Sequence, residues 1–161
     1  MQNNEQLQGA VQEIVEKYER NANQLLPILT EAQELIEFNY VPEGLAQIVA
    51  NQLNLPISQV YEVVTFFSTL SETPRGRNVI QVCDSTVCRL NKNDRLAGTL
   101  EKFMGIKMGE TTEDQEFTLE FTPCFGACDI SPAIRVNRKV YGNLTEEKIH
   151  DILEQIGGIR T

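Results

Sequence analysis

Four cysteines form two tight pairs, Cys83-x4-Cys88 and Cys124-x3-Cys128, with 35 residues between the pairs and no cysteine elsewhere. In each pair the first cysteine stands at or just past the end of a β-rich run, and the second falls in the loop that follows. Two such loops at the same edge of one sheet would bring four sulfurs together. The sequence opens Met1-Gln2-Asn3-Asn4-Glu5-Gln6, which has neither a secretory nor a transit-peptide pattern. No run approaches the ~20 apolar residues of a membrane span. A cytoplasmic location without membrane insertion is therefore expected, and in a reducing compartment paired thiols point to metal or redox work.

Thiolates suit iron–sulfur clusters, zinc and copper(I). Structural zinc sites favour compact Cys-x2–4-Cys knuckles, and no histidine assists here, since His150 sits next to Ile149 in a final helix, where it is expected to face solvent. A four-thiolate [2Fe–2S] cluster needs a wider cradle, because two pairs of sulfurs hold two irons, and the longer first loop suits it. Spacing favours iron–sulfur but leaves zinc and thiol redox chemistry open. Small residues inside the loops, Asp84-Ser85-Thr86-Val87 and Phe125-Gly126-Ala127, allow backbone amides to point at sulfur. Gly126 can supply the positive φ of a tight loop.

The first seventy residues carry helical periodicity. Leu7, Val11, Ile14, Val15 and Tyr18 stripe a helix from about Glu5 to Arg20. A second stripe runs from Leu25 to Asn39, with Pro27 in its first turn. Pro42-Glu43 opens a third helix, and Pro56 a fourth with Ile57, Val60, Tyr61, Val64 and Phe67 facing inward. Short connections predict a small bundle. The polar stretch Ser71 to Asn78 reads as a solvated connection.

Beyond it the elements alternate. Asn78–Cys83 and Phe117–Thr122 are expected strands, with a helix from about Leu90 to Met104 between them. Ala133–Asn137 and Lys139–Tyr141 are expected strands joined at Asn137-Arg138. Thr145 caps a last helix that Gly157-Gly158 ends. The order β-α-β-β-β-α predicts an α/β domain with a small mixed sheet over residues 73–161, behind a helical bundle over 1–72.

Other chemistry is excluded or weak. With one histidine, no catalytic Cys–His or Ser–His–Asp set is convincing, and no dinucleotide or nucleotide loop is present. Glu110, Glu113, Asp114 and Glu116 read as a solvated loop. A formal charge of −9, from 14 Lys+Arg against 23 Asp+Glu, repels phosphate backbones and anionic lipid, so nucleic acid is not an expected partner.

Val79-Ile80-Gln81-Val82-Cys83-Asp84-Ser85-Thr86-Val87-Cys88, Phe117-Thr118-Leu119 and Cys124-Phe125-Gly126-Ala127-Cys128-Asp129 resemble the thioredoxin-like [2Fe–2S] ferredoxins. More specifically, they resemble the small iron–sulfur subunit of NADH dehydrogenase (complex I) and of soluble NAD(P)-linked hydrogenases and formate dehydrogenases. Val60-Tyr61-Glu62-Val63-Val64-Thr65-Phe66-Phe67, followed by Pro74-Arg75-Gly76-Arg77, is similar to the family's helix-and-linker signature. The resemblance implies that Cys83, Cys88, Cys124 and Cys128 ligate a [2Fe–2S] cluster in a thioredoxin-like domain. It also implies that the helical segment docks on a larger subunit carrying FMN and the NAD(P)(H) site, with further catalytic iron–sulfur subunits beyond. The chain would then transfer electrons within an NAD(P)H oxidoreductase without a complete active site of its own. The alternative is a zinc-stabilised scaffold. The chain departs from the family pattern at Glu62, Val64, Lys92, Gln115 and Ser131, none of them a ligand position.

Overall fold

The computed structural model describes residues 4–91 and 93–157; the opening Met1-Gln2-Asn3, Lys92 and Gly158 lie outside them. The chain divides into two compact units, Met1–Pro74 and Arg75–Thr161.

Among the described residues the first unit holds four α-helices, α1 (Asn4–Lys17), α2 (Leu25–Gln33), α3 (Glu43–Leu53) and α4 (Ile57–Phe66), with a 3-10 turn at Ala22–Gln24 before α2. Their apolar stripes meet in one core built on Val11, Val15, Ile28, Leu29, Leu45 and Val60, all fully buried. Two helices are shorter than their stripes predict. α1 stops at Lys17 because Glu19 and Arg20 adopt positive φ. α2 stops at Gln33, beyond which Leu35 and Ile36 bond back three residues to Ala32 and Gln33 in tight turns while still packing on the core. The buried Gln33 side chain donates to the Thr69 carbonyl at 3.1 Å and accepts from the Ser71 amide at 3.0 Å, tying the helix end to the segment after α4. Asn54 closes α3 in the left-handed conformation. Phe67 does not face inward as its spacing suggests: α4 ends at Phe66, and Phe67 turns extended and is 38% exposed.

The second unit contains β1 (Asn78–Cys83), α5 (Thr86–Leu90), α6 (Asn93–Met104), β2 (Phe117–Thr122), β3 (Ile134–Val136), β4 (Lys139–Tyr141) and α7 (Glu146–Gly157). The sheet order is β2-β1-β3-β4, with β1 parallel to β2 and antiparallel to β3. This is the expected mixed α/β arrangement of thioredoxin type. The helix expected from about Leu90 to Met104 is α6, which begins at Asn93; the short α5 before it was not expected, and it places Cys88 in a helical turn instead of a loop. One sheet face, through Ile80, Val82, Leu119 and Ile134, packs on Leu96 and Leu100 of α6 and Ile149 and Leu153 of α7. Thr145 accepts from the Lys148 amide at 3.3 Å and caps α7.

The opposite face is polar. Side chains alternate along a strand, so Gln81 faces away from Ile80 and Val82. The pairings Gln81↔Glu120 and Gln81↔Arg135 lay a row of polar groups across three strands. Gln81 donates to Glu120 and accepts from Arg135 Nε at 2.6 Å. Arg75, expected in a solvated connection, is instead buried, 3.3 Å from Glu120. Gly76 donates its amide to Thr118 Oγ1 at 2.6 Å, so close to β2 that a Cβ there would meet the Phe117 backbone at 2.6 Å. The connection is thus part of the sheet's second cover, and Arg77 pairs with Glu116 at 3.2 Å.

Candidate metal centre

β1 ends on Cys83, which shares the polar face two residues beyond Gln81 and is 1% exposed. Ser85 then starts α5 in an extended conformation, and the first turn returns Cys88 inward to 4% exposure. On the parallel neighbour, Thr122 pairs with Cys83, so the loop after β2 leaves from the same sheet end. That loop carries Cys124, exposed, and Cys128, half-buried, in a short 3-10 turn. Cys124 and Cys128 Sγ lie 3.7 Å apart. Gly126 takes φ +85° and turns its amide onto Cys124 Sγ at 3.4 Å.

Electrostatics links all four sulfurs. Burial opposes ionising Cys83, but the Ser85 hydroxyl and amide and the Cys88 thiol together outweigh it and hold its pKa below the ordinary thiol value. Cys88 is pushed up to about 12, first by burial and then by the Cys83 and Cys128 sulfurs beside it. Cys128 is raised, chiefly through its hydrogen bond with Cys124, while Cys88 acts the other way. Cys83 influences Cys88, Cys88 influences Cys128, and Cys124 influences Cys128, the last pair being in direct contact. The structure thus brings together the four cysteines singled out by their spacing.

The donor set, thiols alone, fits a thiolate-bound metal site. Two ligands on one tetrahedral metal, at metal–sulfur distances of about 2.3 Å, stand roughly 3.8 Å apart, close to the 3.7 Å of Cys124 and Cys128. Among the described residues no three cysteine sulfurs lie mutually within 4.8 Å; the donor group that does is His150, Asp151 and Glu154. These three lie on α7. His150 is not fully solvent-facing as expected, but rests edge-on to Phe103 at 6.1 Å between ring centroids.

Two supporting features escape the spacing argument. Asn93, 1% exposed at the start of α6, donates to the Cys83 carbonyl at 3.1 Å and meets Ser131 Oγ at 3.3 Å. Nothing in the sequence marks it. Arg135 lays its guanidinium over the Phe125 ring, 5.5 Å from the centroid, inside the Cys124–Cys128 loop. A signal for this existed: Gln81, Glu120 and Arg135 each interrupt an apolar strand. The loop carboxylates are more structured than expected. Asp114 accepts from Thr112 Oγ1 and the Glu116 amide, and Glu110 accepts from the Lys107 amide.

The model of a family described as thioredoxin-like [2Fe–2S] ferredoxin matches residues 11–157. The chain is 38% identical over 146 residues to an NADH-quinone oxidoreductase subunit of Rickettsia felis, covering 89% of this chain and 87% of that one. It is 40% identical over 116 residues to the Escherichia coli protein of the same name, covering 72% and 70%. An NAD+-reducing [NiFe]-hydrogenase, solved in its air-oxidized state, aligns with 86% of this chain at a TM-score of 0.69 and 23% identity. At that identity the likeness is one of fold, and the chain spans 24% of the hydrogenase chain it matches.

Proposed function

The chain belongs to the thioredoxin-like [2Fe–2S] ferredoxin family, and from that premise we propose that Cys83, Cys88, Cys124 and Cys128 hold a [2Fe–2S] cluster. It is an electron-transfer subunit, like the NADH-quinone oxidoreductase subunits it resembles, not a complete enzyme. The observation that carries the ligand assignment is the 3.7 Å approach of Cys124 and Cys128 Sγ at the sheet end where Thr122 pairs with Cys83, with Cys88 turned inward beside them. When bound, the cluster supplies one-electron redox chemistry at a potential set by charge, hydrogen bonds and solvent.

The chain's own residues divide the work. Cys83 and Cys88 are buried and fix the inner half of the cradle, held by Asn93 and the Ser85 turn. Cys124 is exposed and Cys128 half-buried, which suits electron exchange with a partner across a short gap. The Gly126 amide donates to Cys124 Sγ, and such a bond stabilises thiolate charge. No side chain needs to move a proton.

In this reading residues 73–161 carry the cluster and residues 1–72 dock on a larger subunit that holds FMN and the NAD(P)(H) site, with catalytic iron–sulfur subunits further along. The setting is cytoplasmic; no helix among the described residues is long and apolar enough to cross a membrane. Two observations support docking by the helical unit. Residues 1–74 carry 2 Lys/Arg against 10 Asp/Glu, whereas 75–161 carry 12 against 13. Phe66, 80% exposed, stacks edge-on with Phe67 at 5.0 Å where α4 ends. The test is purification of the tagged full chain from its native source. A stoichiometric flavin-bearing subunit that is lost on Phe66→Ser supports the reading. Recovery of the chain alone, with NADH unable to reduce it in the extract, overturns it.

A further inference from the structure

The polar face of the sheet carries more charge than packing requires. Arg75 and Arg135 flank a single carboxylate, Glu120, with Gln81 bridging Glu120 to Arg135. A guanidinium stays charged at any working pH, so the row carries a net positive charge. Arg135 is its terminus on the cysteine side. Its Nε is held by Gln81 Oε1 at 2.6 Å, and its guanidinium lies over Phe125, the residue between Cys124 and Gly126. The register fixes it there, since Arg135 pairs with Gln81 and Cys83 follows two residues on along the same strand face.

We infer that Arg135 is a positioning residue for the metal centre: its planar cation clamps the Cys124–Cys128 loop through Phe125 and raises the reduction potential of the cluster. The inference rests on the cluster assignment above. An added electron is stabilised by nearby positive charge, and the effect grows where protein excludes water. Arginine suits both roles, because its flat guanidinium stacks on an aromatic face while a second edge donates to Gln81. Lysine keeps the charge but cannot do both.

The experiment compares the full chain with Arg135→Gln and Arg135→Lys. Midpoint potential is read by EPR-monitored redox titration of the loaded chain. Amide hydrogen exchange across residues 124–128 is read on the cluster-free chain. Arg135→Gln is expected to shift the potential negative and to speed loop exchange; Arg135→Lys is expected to speed loop exchange while holding the potential near that of the parent. Parent-like potential and loop exchange in Arg135→Gln would overturn the proposal, as would equal potential shifts in both variants. If Arg135→Gln fails to retain a cluster, loop exchange decides, and unchanged exchange there sinks the proposal. A parent chain that gives no [2Fe–2S] signal after loading refutes the functional reading instead, and the loop comparison still tests the clamp.

Discussion

The Arg75–Glu120 pair is the sharpest test of how the second unit is held, because sequence alone assigns Arg75 to a solvated connection. The Arg75 side chain is 8% exposed and Glu120 22%, with Nη1 and Oε1 3.3 Å apart. Removing one partner of a buried pair costs about 3–5 kcal/mol, because the other charge stays out of water. Glu120→Leu removes the carboxylate that faces the more buried guanidinium and is expected in that range. Arg75→Met strands a carboxylate that water reaches and that still accepts from Gln81, so about 2–3 kcal/mol is expected. With both replaced the two facing charges leave together, and the double variant should recover part of the loss, the remainder reflecting the carboxylate that Arg135 also faces. Hydrogen exchange of β1 and β2 peptides in the full chain reads these differences directly. At about 1.4 kcal/mol per tenfold, Arg75→Met should lower protection roughly 30- to 150-fold. A solvated arginine would give a change within about 0.5 kcal/mol. That result, or single-variant losses that simply add in the double variant, would refute the reasoning.

Other consequences are open to measurement. In the cluster-free chain at pH 8, Cys124 should be alkylated first and Cys88 last, by mass spectrometry, because a thiol at about 12 is ionised only about one part in ten thousand; fast modification of Cys88 would contradict the buried sulfur contacts. Gly126→Ala forces a side chain onto φ +85°, and should accelerate cluster loss, followed by visible absorbance, while far-ultraviolet dichroism stays unchanged. Gly76→Ala places a Cβ 2.6 Å from the Phe117 backbone and should destabilise the second unit by at least the ~1–3 kcal/mol of an overpacked core; protection of β1 and β2 equal to the parent would contradict it. Asp114 is held below 3.8 by the Thr112 hydroxyl and then the Glu116 amide. Its contribution to loop stability is therefore complete above that value and fades as pH falls through the lower folded value, so an NMR titration midpoint at or above 3.8 would count against it.

The elements legible in sequence were those whose local pattern and tertiary role agree. β1, β2 and β4 fall where their β-rich runs place them, and Pro42, Pro56 and Thr145 mark the starts of α3, α4 and α7. Helix ends were less legible because apolar periodicity continues past them: Leu35 and Ile36 still face the core after α2 has ended, since a turn can present side chains as a helix does. The short α5 that turns Cys88 inward answers to burial in the folded chain, which no local propensity encodes. Cysteine spacing pointed to the meeting of four sulfurs, but their support from Asn93 and Arg135 depends on register across β1 and β3, which becomes visible only when the strands are paired. Arg75 and Gly76 illustrate the same gap. Pro and Gly in a polar stretch suggest a linker, whereas here the glycine permits a backbone approach that seats the arginine on the sheet.

The claim on which the account turns is that two irons sit on these four sulfurs. Iron, zinc and acid-labile sulfide should be quantified on the chain after anaerobic loading, with EPR of the dithionite-reduced sample. The expected result is about two irons and two sulfides per chain with a [2Fe–2S] signal, abolished or altered by replacing any one of Cys83, Cys88, Cys124 or Cys128 with serine. One zinc per chain, without labile sulfide and without a signal on reduction, would contradict it.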